Sequence, residues 1–195
     1  MKKIKLYHMS ETLKLGDELM PDYLNKSVNC EPYISSMEKG LDSLELLLEK
    51  KIEEQQEDWN DVVKWCVEGI FEYIRKNEFP DVPSRTKSNY YFDNLDDFAV
   101  LYQAGWAQEP EEERNKLHLY EIEIYTEHLY KFDMSVFDKA YDKLHDDKDL
   151  ESVIIYARNY FEGKNTEKPV WEIMSDSRAK AVKDISDYLK KCVEV

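Results

Sequence analysis

Leu117-His118-Leu119-Tyr120-Glu121-Ile122-Glu123-Ile124-Tyr125 is the stretch whose reading decides the fold class. Leu117, Leu119, Glu121, Glu123 and Tyr125 fall on one side, and His118, Tyr120, Ile122 and Ile124 on the other. Alternation of period two over this length marks a strand with one buried face. Upstream the period changes. Between Glu38 and about Gln56, Leu41, Leu44, Leu47, Leu48 and Ile52 recur at helical spacing. Asp58 then caps a second helix through Val62, Val63, Trp65, Cys66, Ile70, Phe71 and Ile74, which stops near Asn77 before Phe79-Pro80-Asp81-Val82-Pro83. Downstream, Met134 to Leu144 and Leu150 to Phe161 read as two more helices.

Shorter strands are scattered among these helices. Lys3 to Met9 alternates basic and apolar residues, and Tyr90-Tyr91-Phe92 runs into a helix capped by Asp93 or Asn94 and carrying Leu95, Phe98, Ala99, Leu101 and Tyr102. Pro169 to Met174 and Ala179 to Ile185 complete the set. Turns at Leu15-Gly16-Asp17 and Pro21-Asp22 lead into a polar loop reaching about Met37, and Tyr188 to Val195 fits neither period. No repeat, low-complexity tract or Ser/Pro linker divides the chain. The expectation is one α+β domain over residues 1–195, with a helical insertion at about 38–77 after the first strand.

Composition sets the outer bounds. The 195 residues are 42% hydrophobic and 13% aromatic, too apolar for a disordered chain. Forty-two acids against 27 bases give a net charge of −15, which repels a phosphate backbone and disfavours a long nucleic-acid surface. Cys30, Cys66 and Cys192 are scattered and odd in number, as expected for reduced thiols in the cytoplasm. His8, His118, His128 and His145 show no metal-ligand spacing, so no metal is expected. No run approaches the ~18 apolar residues of a membrane span, and no signal peptide is read at the start. Five isolated glycines exclude a P-loop and a Rossmann phosphate loop.

Four chemically capable residues sit at or beside strand ends. His8 ends the first strand in Leu6-Tyr7-His8-Met9-Ser10, and Tyr91 lies in Tyr90-Tyr91-Phe92-Asp93-Asn94 at the start of a helix. Tyr102 follows Tyr91 by eleven positions on that helix, and Glu172 lies in Trp171-Glu172-Ile173-Met174. In order and spacing this set resembles the ADP-ribosyltransferase-like superfamily, specifically its histidine-tyrosine-glutamate branch, which includes the poly-ADP-ribose polymerase catalytic domain and small bacterial members. The resemblance implies a split pair of small sheets with helices around them. It also implies NAD⁺ as co-substrate and transfer of ADP-ribose with release of nicotinamide.

Site roles follow from the resemblance. It gives His8 a hydrogen bond to a ribose hydroxyl of the adenosine half, with Ser10 as a neighbour. It gives Tyr91 and Tyr102 the faces that sandwich the nicotinamide, and stacking suits a cationic pyridinium. Glu172 would bind the nicotinamide ribose and stabilise the charge left as nicotinamide departs. The expected catalytic residues are thus Glu172, His8 and Tyr91. Two positions depart from the family pattern: Met9 follows the histidine and Asn89 precedes the tyrosine pair, where members carry glycine.

Plainer readings stand beside these. Tyr91 and Tyr102 are also suited to the core, and Glu172 to a solvent face. Arg85 is a candidate for a pyrophosphate contact or a solvated loop arginine. Glu121-x-Glu123 resembles the motif of arginine-modifying members, but one polar strand face explains it. Two other functions are open: an NAD-using RNA 2′-phosphotransferase-type enzyme, and a non-catalytic acidic binding protein on the same fold. The acceptor is unspecified, and the acidity favours a basic protein over a long nucleic acid.

Overall fold

The computed structural model describes residues 2–21, 26–126 and 128–193. In chain order the elements are β1 (Lys2–Ser10), β2 (Glu18–Leu19), α1 (Lys26–Met37), α2 (Leu41–Glu54), α3 (Trp59–Glu78), β3 (Asn89–Tyr91), α4 (Leu95–Gly105) and α5 (Glu111–Arg114). They continue with β4 (His118–Thr126), β5 (Tyr130–Asp133), α6 (Met134–Asp147), α7 (Leu150–Phe161), β6 (Trp171–Ser175), β7 (Ala179–Asp184) and α8 (Asp187–Val193). The fold is α+β, with two separate sheets and a helical insertion after the first strands. The chain divides into two compact units: residues 1–21, 88–131 and 170–195 form the first, and residues 22–87 and 132–169 the second. Asp22 of the expected Pro21-Asp22 turn, and Glu194 and Val195 of the last expected segment, lie outside the described residues.

The first unit holds one sheet whole and most of the other. One has the order β1–β4–β7–β2, with β1 and β4 antiparallel from Lys2↔Thr126 to Ser10↔His118. β7 lies antiparallel to β4, with an irregularity between Glu121 and Ile122. The other has the order β3–β6–β5, of which Tyr130 and Lys131 of β5 belong to this unit. The two sheets meet at one bridge between Tyr7 and Phe92, closed by reciprocal backbone hydrogen bonds of 2.8 and 2.9 Å.

Because side chains alternate along strands, this bridge sorts the unit into two apolar clusters. Leu6, Tyr91, Tyr120, Ile122, Ile124 and Ile173 share one, as the alternation around Ile122 predicts. The other joins Phe92, Phe98, Tyr102, Leu117, Leu119 and Leu189, with Tyr7 and Met9 packed against it. The exposed end of the β4 outer face carries Glu121 and Glu123, paired with Lys5 and Lys3. The Glu-x-Glu spacing is therefore one polar strand face.

The second unit is helical and built on α3. Asp58 caps α3 by accepting from the Asn60 amide, worth about 1 kcal/mol. Its buried stripe runs through Val63, Cys66, Val67, Ile70, Phe71 and Ile74. Gly69 lets α1 approach: a methyl group there would stand 2.7 Å from Cβ of Tyr33. Phe71, Phe132, Phe137, Tyr160 and Phe161 form an aromatic cluster with ring centroids 4.4 to 6.0 Å apart among contacting pairs. The helix α1 replaces much of the polar loop expected before Met37. Its Cys30, Tyr33, Ile34 and Met37 are all buried along one side despite Pro32 in its interior.

Candidate functional site

His8 and Tyr91 come together where the two sheets meet. The Tyr7–Phe92 bridge sets β1 beside β3, so the next residue on each strand turns to the opposite side. His8 and Tyr91 therefore face each other, ring centroids 5.7 Å apart at 57°. Nδ1 of His8 lies 2.8 Å from the carbonyl oxygen of Tyr90. A carbonyl only accepts, so Nδ1 carries the proton and donates, which fixes the ring's orientation. Asn89 stands two residues before Tyr91 and shares its strand face.

Tyr91 is wholly buried. Burial pushes its hydroxyl well above the ordinary phenol range, the Asn89 side chain drawing it partly back, so at neutral pH it is protonated. The Tyr91 hydroxyl and the Asn89 amide nitrogen are buried without a hydrogen-bond partner among the described residues. Such groups cost about 1–3 kcal/mol each when left unsatisfied, and the approach of the Asn89 side chain to the Tyr91 hydroxyl offsets part of it.

Ser10 lies on the same strand face as His8, two residues on. Its hydroxyl oxygen accepts from the backbone amides of Thr12 and Leu13 at 3.2 and 3.1 Å, turning the chain back over the sheet. Leu13 packs against the Tyr91 cluster, and its carbonyl accepts from the Tyr120 hydroxyl at 2.7 Å. Ser10 is thus a turn-forming residue beside the site.

Three expected members stand elsewhere. Tyr91 pairs with Ile173 and Asn89 with Ser175, so Ile173 and Ser175 share their face. Glu172, one residue off, points to the opposite face of β6 and is 4% exposed. The expected meeting of Glu172 with Tyr91 is corrected by this register. Tyr102 lies in the cluster of Phe92 and Phe98, its ring 6.0 Å from that of Phe98. Tyr91 and Tyr102 therefore pack on opposite sides and do not form the two faces of a sandwich.

Arg85 belongs to the second unit and is 4% exposed. Its guanidinium donates to both carboxylate oxygens of Glu68 at 3.0 and 3.1 Å and to the Tyr160 hydroxyl at 2.5 Å. It also lies over the rings of Phe137 and Tyr160, 4.4 and 4.9 Å from their centroids. This is neither a solvated arginine nor a pyrophosphate contact, because the planar donor fork is already turned onto a carboxylate.

Asn89, marked in the sequence only as a departure from glycine, is the polar neighbour of Tyr91 on β3. Its two-residue spacing from Tyr91 on a strand was the available signal. Among the described residues, no group of three or more His, Cys, Asp or Glu side chains is placed to hold a metal ion. No helix among them is long and apolar enough to cross a membrane.

Over residues 6–187 the chain matches the family described as protein of unknown function (DUF2441), and it belongs to that family. No curated protein matches it.

Proposed function

We propose that this chain is an ADP-ribosyltransferase-type protein that binds NAD⁺ at the His8–Tyr91 face and transfers ADP-ribose to an acceptor, releasing nicotinamide. The observation that carries the reading is the meeting of His8 and Tyr91 at the seam between two sheets, on strands in the order the resemblance requires. The residues suit the ligand. A fixed, half-buried imidazole can hold a hydroxyl group without a glycine loop. NAD⁺ itself supplies the ADP-ribosyl group and the leaving nicotinamide.

Within this reading His8 orients the ligand through its ring, held by the Tyr90 carbonyl, and the buried Tyr91 ring backs the imidazole from the core side. Transfer further asks for negative charge where positive charge develops. Glu172 is the carboxylate proposed for that task. The net charge of −15 favours a basic protein as acceptor, and the three reduced, buried cysteines accord with a cytoplasmic setting.

A second reading has an observation of its own. The β3–β6 register puts Ile173 and Ser175, not Glu172, beside Tyr91 and Asn89, as suits a protein that binds NAD⁺ or a related ligand without turning it over. Calorimetric titration with NAD⁺ and mass-spectrometric detection of free nicotinamide separate the two. Transfer predicts binding, release of nicotinamide, and loss of release in Glu172→Gln. Binding without release in the wild type supports the second reading. Absence of binding at millimolar NAD⁺ refutes both.

A further inference from the structure

We infer that a cleft in the helical unit binds a small zwitterion, of the class of an α-amino acid with a short aliphatic side chain. The cleft has a volume of about 400 Å³, at the small end for a ligand pocket, and lies between α1, α3 and the turn Arg85–Lys87. Its walls all belong to the second unit, so the inference stands apart from the NAD⁺ reading.

Two helix stripes and the turn shape it. On α1, Glu31 and Ile34 are three positions apart and share a face, and on α3 Glu72 and Lys76 are four apart and do the same. Ile34 and Glu72 are buried and form the floor. Glu72 brings little free charge there, because Arg75 donates to both its carboxylate oxygens at 3.0 and 2.9 Å. Val28, Glu31, Lys76 and Lys87 are exposed and form the rim. Val28, 66% exposed, sets an apolar side chain at the mouth above Ile34.

The rim charges select the ligand. Among the described residues Lys87 forms no ion pair, and the nearest carboxylate oxygen to Lys76 is that of Glu38, 4.0 Å away. Glu31 accepts only from the Ser35 hydroxyl, at 3.2 Å. Opposite charges thus line one small cleft without closing on each other. A ligand carboxylate meets the two ammonium groups, a ligand ammonium meets Glu31, and an aliphatic body of a few carbons lies against Val28 and Ile34. A ligand with a single charge leaves one side of the rim unmatched, and a dianion such as a phosphate monoester runs against the Glu31 carboxylate.

Ligand-observed NMR titration of the full chain with L-leucine, 4-methylpentanoate and 3-methylbutylamine tests this. The three share a branched aliphatic end, while 4-methylpentanoate lacks the ammonium of leucine and 3-methylbutylamine lacks its carboxylate. The expected result is binding of leucine in the millimolar range and about 3–10-fold weaker binding of each singly charged analogue, the scale of one half-exposed charged hydrogen bond. Glu31→Gln should weaken leucine and 3-methylbutylamine about 3–10-fold and leave 4-methylpentanoate no weaker. Lys87→Gln should weaken leucine and 4-methylpentanoate and leave 3-methylbutylamine no weaker. Both side chains are exposed, so far-UV circular dichroism should show both variants folded as the wild type is. Absence of leucine binding in the millimolar range overturns the inference. Equal binding of all three ligands, or leucine affinity that survives both substitutions, overturns it as well. NAD⁺ affinity should be the same in both variants, so failure of this cleft and failure of the NAD⁺ reading are told apart.

Discussion

Replacing Arg85 by methionine tests whether the second unit is organised around a buried ion pair. Arg85 and Glu68 are 4% and 8% exposed, and the guanidinium grips both carboxylate oxygens at 3.0 and 3.1 Å. Arg85→Met leaves the Glu68 carboxylate uncompensated inside the helical unit, which costs about 3–5 kcal/mol. It also removes the partner of the Tyr160 hydroxyl, about 1 kcal/mol, and the contact with the Phe137 ring, about 1–2 kcal/mol. Methionine restores some of the packing, so the expected net loss is roughly 3–5 kcal/mol, a large share of the ~5–15 kcal/mol that holds a domain together.

The double variant Arg85→Met/Glu68→Met removes the charge and its partner together. It should be more stable than Arg85→Met alone by at least about 2 kcal/mol, because no buried charge is left behind. Urea denaturation followed by far-UV circular dichroism, with all variants at one pH, measures the cycle. Glu68→Gln serves as the milder entry to the same cycle if Arg85→Met does not accumulate in folded form. The reasoning is refuted if Arg85→Met costs less than about 1 kcal/mol, or if the two substitutions simply add. A loss of nucleotide affinity at unchanged stability would refute it from the other side.

Two further predictions bear on packing and on thiol chemistry. Gly69→Ala should destabilise by about 1–2 kcal/mol in a thermal or urea melt, since overpacking against the Tyr33 Cβ at 2.7 Å outweighs the roughly 1 kcal/mol gained in helix propensity. Gly105→Ala, where a methyl meets nothing within 4 Å, should be neutral or stabilising, and the opposite ordering of the two would refute the close approach of α1 to α3. Burial pushes the Cys30 thiol up to about 12, so at pH 8 only about one molecule in 10⁴ carries its thiolate. Cys66 is raised by burial in the same way, and iodoacetamide should label neither until urea unfolds the chain, with labelling of the native Cys30 still slow at pH 9. Rapid native labelling at pH 8 would show that the second unit opens far more readily than its packing indicates.

What the sequence discloses follows from how local each signal is. The alternation from Leu117 to Tyr125 becomes β4 within a residue at either end, and Asp58 caps α3 as its position indicates. The helix α1 is hidden because Pro32 lacks the amide that a helix interior uses. The spacing of Cys30, Tyr33, Ile34 and Met37 nonetheless follows a helical face. Strand β5 has four residues, too few for any period to show.

The site divides along the same line. His8 and Tyr91 lie together because strand order and a single bridge suffice to bring them there. The placement of Glu172 depends on the register between β3 and β6, and a slip of one residue would carry it to the Tyr91 face. No short motif encodes that register. The burial of Arg85 depends on an acid 17 positions away, and Glu68 and Glu72, one turn apart on the buried stripe of α3, were the hint that cations would be needed there.

The threading of the chain bears on how the protein is made. During synthesis at about 5–20 residues per second, β1 has no partner until β4 leaves the ribosome, a wait on the order of 5–20 s. The last segment of the helical unit, by contrast, is complete at Pro169, before β6 and β7 exist. Those two late strands occupy interior places, β6 between β3 and β5 and β7 between β4 and β2. Residues 171–184 therefore close both sheets, and a nascent chain stalled before Val170 would hold several unpaired strand edges in water. Yield of soluble protein should accordingly depend on how fast translation passes this last stretch, and on whether a holding chaperone shelters the waiting strands.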